Sequence, residues 1–208
     1  MYFSDFLSKI NQIQTQKLTG LDIQFKLAPK LRLQYDKQKI AANHPKKAAV
    51  LSLFYPTKEN KVCFLLTLRA NYNGKHANQI SFPGGKIEIN DRNLKETALR
   101  EASEETGILK KNIKIIREVT DVYIPPSNFL VTPFLGYTEV KPEFKKNYEV
   151  SKLVEVLAED LLNEHNRSST IIQTSYMKKT EVPCFKLNDH IVWGATAMIL
   201  NEIKELLK

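Results

Sequence analysis

Two near-continuous apolar runs, AAVLSLFYP over residues 48–56 and VCFLLTLR over 62–69, restrict the fold more than any other feature. A short charged turn separates them, and Pro56 stops the first. Runs of this length without polar alternation fit a pair of strands buried on both faces. The other elements follow in mixed order. An opening helix is expected from Phe3, Phe6, Leu7, Ile10 and Ile13 at helical spacing, and residues 18–46 form a polar connecting arm. A Gly-, Asn- and Pro-rich stretch (71–93) precedes a helix from Leu94 to Thr106, with Asn93 as N-cap, Glu96 completing a capping-box-like pair and Gly107 as the stop. IKIIREVTDVYI (113–124) and NFLVTPFLGYTEV (128–140) read as two strands around Pro125-Pro126. SSTIIQTSYM and VPCFKL read as later strands, and a final helix carries Trp193, Ala197, Leu200, Ile203 and Leu207 on one stripe. This order predicts an α+β or sandwich arrangement rather than a doubly wound parallel sheet. The 208 residues fit one domain over 47–208 with an N-terminal helix and arm over 1–46.

Composition narrows the function classes. No apolar run approaches the roughly 20 residues of a membrane span. The first residues, MYFSDFLSKINQIQTQK, lack the apolar core and cleavage site of a signal peptide, so a cytoplasmic protein is expected. Cys63 and Cys184 match no metal or redox spacing, and Cys63 in VCFLL reads as a buried thiol. The net charge of +8 favours anionic partners. Its lysines are dispersed in short pairs rather than blocks, which marks a solvated surface more than a nucleic-acid arm, so charge alone decides nothing. Nothing in the sequence sets an oligomeric state.

The chemistry is concentrated in GGKIEINDRNLKETALREASEETGI, residues 84–108. At about 100° per residue, Glu101, Glu104 and Glu105 share one arc of the helix, while Leu94, Ala98, Leu99 and Ala102 lie on the neighbouring face. Like charges at this spacing repel by about 0.2–0.5 kcal/mol per pair, and a hard divalent cation, Mg²⁺ or Mn²⁺, relieves the conflict. The absence of nearby His or Cys disfavours zinc. Pro83-Gly84-Gly85 makes a tight turn in which the Gly85 carbonyl can add an oxygen ligand. Asp91 and Glu88 lie between turn and helix, where Arg100 can pair with either.

These residues resemble the Nudix box: Gly85, Asp91, Arg100, Glu101, Glu104, Glu105, Gly107 and Ile108. Asp91 stands where the general pattern has Glu, and the gap to Arg100 is one residue longer. The preceding LLTLRANYNGKHANQISFPGG (65–85) is similar to the signature of the coenzyme A pyrophosphatase branch, with Asn78 in place of a glycine before Gln79. NFLVTPFLG, YEVSKLVEV and HIVWGATAMIL fit the same branch, so the resemblance covers about residues 48–200.

The resemblance implies a Nudix-like α/β/α sandwich with a mixed β-sheet and a metal-dependent hydrolase that splits a pyrophosphate. Coenzyme A would give 4′-phosphopantetheine and adenosine 3′,5′-bisphosphate. The metal set is Glu101, Glu105, Glu104 and Gly85. The catalytic candidates are Glu104, Glu101 and Arg100, with Glu149 as a further carboxylate that reads equally as surface charge. Arg69, His76 and Gln79 are the substrate-binding candidates, and Arg69 offers a rigid fork of donors for phosphate oxygens. Trp193 reads as core. ADP-ribose, nucleoside diphosphate sugars and dinucleotides are the sibling substrates. A non-catalytic nucleotide-sensing module and an RNA-processing hydrolase are the rivals from other classes.

Overall fold

The computed structural model describes residues 1–70 and 78–208, and His76 therefore lies outside the described residues. The chain opens with α1 (Phe3–Thr15), then the short helices α2 (Leu21–Gln24) and α3 (Lys37–Ala42). Four strands follow, β1 (Lys46–Pro56), β2 (Val62–Arg69), β3 (Ile80–Ser81) and β4 (Gly84–Lys86), leading into α4 (Leu94–Thr106). Next come β5 (Lys114–Glu118), β6 (Val122–Ile124), β7 (Phe129–Tyr137), β8 (Val150–Leu157) and α5 (Ala158–Leu162). The chain closes with β9 (Arg167–Thr174), β10 (Met177–Leu187), β11 (His190–Trp193) and α6 (Gly194–Leu207).

β1 to β8 form one mixed sheet, and β9 to β11 form a small antiparallel one. At the centre β1 runs parallel to β7, from Lys46 opposite Phe129 to Phe54 opposite Tyr137, and antiparallel to β2. Alternation along the two buried strands divides the core. Ala49, Leu51, Leu53, Tyr55, Cys63 and Leu65 pack against Ala98 and Ala102 of α4. Phe54, Phe64 and Leu66 pack on the other face with Phe6 and Ile13 of α1 and Leu200 and Ile203 of α6. Helices therefore cover both faces of the sheet, which is the expected α/β/α sandwich, and the apolar runs are apolar because neither face meets water. Phe6 of α1 stacks on Phe54 with ring centroids 5.3 Å apart. Among the described residues no helix is long and apolar enough to cross a membrane.

Some expectations need correction. The 113–124 segment is two strands, both antiparallel to β7. The break has a physical cause. Pro133 of β7 has no N–H to offer the ladder, so only its carbonyl is used, by Val119 N at 2.9 Å. The next N–H, that of Thr120, turns away to Glu202 Oε2 at 3.1 Å. β11 is a strand not expected from the sequence, and Trp193 ends it rather than opening the last helical stripe. The 18–46 arm carries α2, α3 and two single 3₁₀ turns.

Glu202 on α6 is the polar tie of this layer. It is fully buried and accepts from Gly20 N (2.9 Å), Gln24 Nε2 (2.9 Å), Thr120 N (3.1 Å) and Thr120 Oγ1 (2.6 Å). Four donors from two other segments replace the water this carboxylate gives up.

Candidate active site

α4 starts where Asn93 accepts from Glu96 N at 3.0 Å, and Gly107 caps its end. Glu96 does not return to the Asn93 N–H. It accepts instead from the Arg92 backbone at 3.1 Å and from the Arg92 guanidinium, so the expected box reaches one residue further out. Ala98 and Ala102 are fully buried against the sheet, and these small side chains let the helix lie close to β1. That closeness brings the turn of β4 under α4. Gly84 pairs with Val50 and Gly85 with Ala49.

Both glycines are required by contact. Gly84 has φ +155°, and a Cβ there would sit 2.4 Å from the Ala49 carbonyl oxygen. A Cβ on Gly85 would sit 2.4 Å from Cδ and Oε1 of Glu101. Backbone and carboxylate thus approach as closely as the chain allows. Gly85→Ala is expected to keep the fold, because the clash falls on the end of a side chain, but to displace Glu101 and lower kcat about 100-fold. A melting curve measured beside the kinetics separates the two effects.

Arg100 organises the acidic face. Its Nε and Nη2 each donate to Asp91 at 2.9 Å, and Nη2 also to the Lys86 carbonyl at 3.0 Å. Nη1 donates to Glu101 at 3.0 Å and to Glu104 at 3.1 Å. Of the two partners expected for Arg100, Asp91 is the bidentate one, while Glu88 stands 3.9 Å away. Asp91 also accepts from Thr97 Oγ1 and Glu88 N. The Arg100 guanidinium holds the Asp91 carboxyl well below the usual carboxylate range. Asp91 in the lengthened loop therefore fixes the loop to α4 through Arg100.

A depressed acid adds stability that is present above its unfolded value and lost as pH falls toward its folded one. Asp91→Asn is expected to lower stability at neutral pH by about 2–4 kcal/mol. The gap should begin to narrow as pH falls below about 4, the ordinary aspartate range, with part of it still present at about pH 3. Urea midpoints of both proteins between pH 3 and pH 7 check this.

Burial pushes Glu101 upward, with Arg100 opposing it. Glu105 is buried more deeply and is pushed up to about 7 by burial, against the opposing pull of Arg69 and the Gly84 N–H. Glu105 Oε2 accepts from Gly84 N at 3.2 Å.

Glu101, Glu104, Gly84 and Gly85 line a cavity of about 520 Å³, within the range of small-molecule sites. Arg69 from the end of β2, Gln79, Arg100 and Glu149 line it too, so segments far apart in the sequence meet at one wall. Glu105 stands behind that wall, beneath the glycine turn, and does not line the cavity. Gln79 Nε2 donates to the Tyr176 hydroxyl at 3.5 Å. Trp193 is half-buried on the cavity wall instead of in the core. The sequence reading missed Arg32, Tyr123, Ser127 and Tyr176 as cavity residues. No motif marks them, since they come from an arm, a three-residue strand, a 3₁₀ turn and a hairpin.

A mixed sheet lies between helical layers, and the glycine turn and the REASEE helix meet at one cavity. A NUDIX domain profile matches residues 45–174, and the chain belongs to the Nudix family. It is 30% identical to an uncharacterized Nudix hydrolase, NudL, of Pectobacterium atrosepticum, over 86% of this chain and 88% of that one. It is 32% identical to the NudL of Yersinia pestis over 68% of this chain and 70% of the relative. Among solved structures, a MutT/nudix family protein from Enterococcus faecalis superposes with a TM-score of 0.52 at 16% identity. That match covers 97% of this chain and 74% of the other, and it shows the fold alone. Enzymes of this family generally use divalent metal ions such as Mg²⁺ or Mn²⁺.

Proposed function

We propose that this chain hydrolyses the pyrophosphate linkage of a nucleotide-derived metabolite, with coenzyme A as the leading substrate. The observation that carries the reading is the meeting of Glu101, Glu104 and the Gly84-Gly85 turn with Arg69 on one cavity wall. The donor set is all oxygen, a Cβ on Gly85 would meet the Glu101 carboxylate at 2.4 Å so that no side chain fits between turn and helix, and the set suits a hard divalent cation. Glu101 and Glu104 would hold that ion, with the Gly85 carbonyl and Glu105 assisting. When bound, such an ion neutralises charge on the phosphate oxygens and lowers the pKa of water.

The chain's own groups do the rest. Arg69 offers guanidinium donors to a phosphate oxygen. Gln79, whose carbonyl accepts from Arg69 N at 3.1 Å, fixes the adjoining backbone. Arg100 positions Glu101 and Glu104 through its Nη1 bonds while Asp91 anchors its other edge. A carboxylate on the wall takes the proton of the attacking water, and Glu101, Glu104 and Glu149 are the groups placed to do so. The lining also has an apolar part, with Phe82, Phe129, Trp193 and Met198. Such a surface suits a base and an extended organic arm. The coenzyme A choice itself is supported by the LLTLR and FPGG residues that flank the site.

The test is hydrolysis of coenzyme A against ADP-ribose, a nucleoside diphosphate sugar and a dinucleotide, at equal Mg²⁺ or Mn²⁺, with products weighed by mass spectrometry. The expected result is 4′-phosphopantetheine and adenosine 3′,5′-bisphosphate, formed with the highest kcat/KM of the panel. A higher kcat/KM for ADP-ribose or a dinucleotide would keep the chemistry and replace the substrate. No hydrolysis of any of them would overturn the enzymatic reading.

A further inference from the structure

The same cavity has a second polar end. Arg32, on the N-terminal arm, is 4% exposed and lines it. Its guanidinium carbon stands 5.1 Å from the Phe25 ring centroid and 5.9 Å from that of Tyr123. Nη1 donates to the Tyr35 carbonyl at 2.8 Å. Nε has no hydrogen-bond partner among the described residues, and no carboxylate there pairs with the side chain. Ser127, in the 3₁₀ turn after β6, also lines the cavity, and its buried Oγ is unpartnered as well. The Tyr123 ring is held in place. Its hydroxyl accepts from Asn43 Nδ2 and donates to Asn128 Oδ1, both at 3.0 Å. A buried guanidinium without an anion is costly to keep unless a ligand completes it. Arg is also the side chain best suited to phosphate.

Register along β1 places this end relative to the carboxylates. Gly85 lies opposite Ala49, whereas Phe129, itself paired with Ile124 beside Tyr123, lies opposite Lys46. Three residues of strand correspond to roughly 10 Å. A nucleoside can sit in that space, against the apolar wall.

We propose that Arg32 and Ser127 form an anion subsite for a phosphomonoester of the ligand, remote from the linkage that is cut. This subsite deepens the proposed function and depends on it for the identity of the ligand. It also gives the N-terminal arm a part in substrate selection, since Arg32 reaches the cavity from outside the Nudix-matching residues 45–174. The reacting diphosphate lies at the α4 end, so Arg32 binds without taking part in the bond change.

The test compares coenzyme A with 3′-dephospho-coenzyme A in the wild type, Arg32→Met and Ser127→Ala. Methionine keeps an apolar stem between Phe25 and Tyr123. Alanine at 127 removes a hydroxyl that holds nothing, so its fold is expected to be unchanged. For Arg32→Met the expected result is a KM for coenzyme A raised roughly 10- to 100-fold. Its kcat, and its KM for the dephosphorylated form, should stay near wild type. Ser127→Ala is expected to show the same selectivity with a smaller rise, about threefold to tenfold. Calorimetry with adenosine 3′,5′-bisphosphate and AMP separates this proposal from the proposed function. Tighter binding of the bisphosphate, lost in either variant, supports the subsite even if coenzyme A is not hydrolysed. Equal weakening of both ligands, or equal wild-type affinity for both, would overturn it and leave Arg32 as a packing residue.

Discussion

Glu101→Gln is expected to lower kcat by roughly 10²–10³-fold while the melting temperature stays within a few degrees of wild type. The size follows from removing one charged group aimed at a centre where negative charge must be neutralised. Fold retention follows from the geometry. Among the described residues the donor to Glu101 is Arg100 Nη1, which a glutamine oxygen can still accept from and which also holds Glu104 at 3.1 Å. Asp91 keeps Arg100 in place from the opposite edge through two bonds of 2.9 Å. Steady-state kinetics together with a thermal melt check both halves. Loss of activity with unfolding would show that Glu101 acts on the fold, and full activity would remove it from the site.

The largest stability effect is expected at Glu202, far from any motif. Glu202→Ala leaves the Gly20 N–H and the Thr120 N–H and hydroxyl without their acceptor inside the protein, and Gln24 Nε2 with the Thr120 carbonyl alone. Each unsatisfied buried donor costs about 1–3 kcal/mol, so a total of roughly 3–5 kcal/mol is expected after relaxation. That is a large share of the stability of an ordinary domain. Chemical denaturation measures it directly. Glu202→Gln is expected to recover only part of the loss, because its amide group brings a donor to a place already crowded with donors. A loss below about 1 kcal/mol for Glu202→Ala would show that the arm and the Thr120 bend are held by apolar packing alone.

The two effects also mark what sequence shows and what it hides. The buried strand pair was legible because apolar runs such as VCFLL report a covered strand directly. The α4 boundaries were legible because Asn93 and Gly107 are local signals that do not depend on the rest of the fold. The carboxylate face was legible because its spacing is helical and the glycine turn lies within the same segment, whereas the loop partner of Arg100 was legible only as Asp91 or Glu88. What stayed hidden is long-range. The division of the 113–124 segment depends on Pro133 across the sheet and on Glu202 from a helix more than 80 residues later. Trp193 reads as core in a linear stripe, yet a strand end turns it toward the cavity wall. The burial of Glu105 behind Gly84 cannot be seen in the REASEE spacing, which gives Glu101, Glu104 and Glu105 equal standing. Arg32 and Ser127 are ordinary residues of a polar arm and a proline turn until the fold brings them to one cavity.

The account depends most on α4 being an ion-holding helix, and Mn²⁺ titration followed by electron paramagnetic resonance tests this most directly. Wild-type protein is expected to bind Mn²⁺ in a saturable way, with affinity reduced at least about tenfold in Glu101→Gln and also weakened in Glu105→Gln. Equal Mn²⁺ binding by all three proteins, or none by the wild type even with a diphosphate ligand present, would contradict the account.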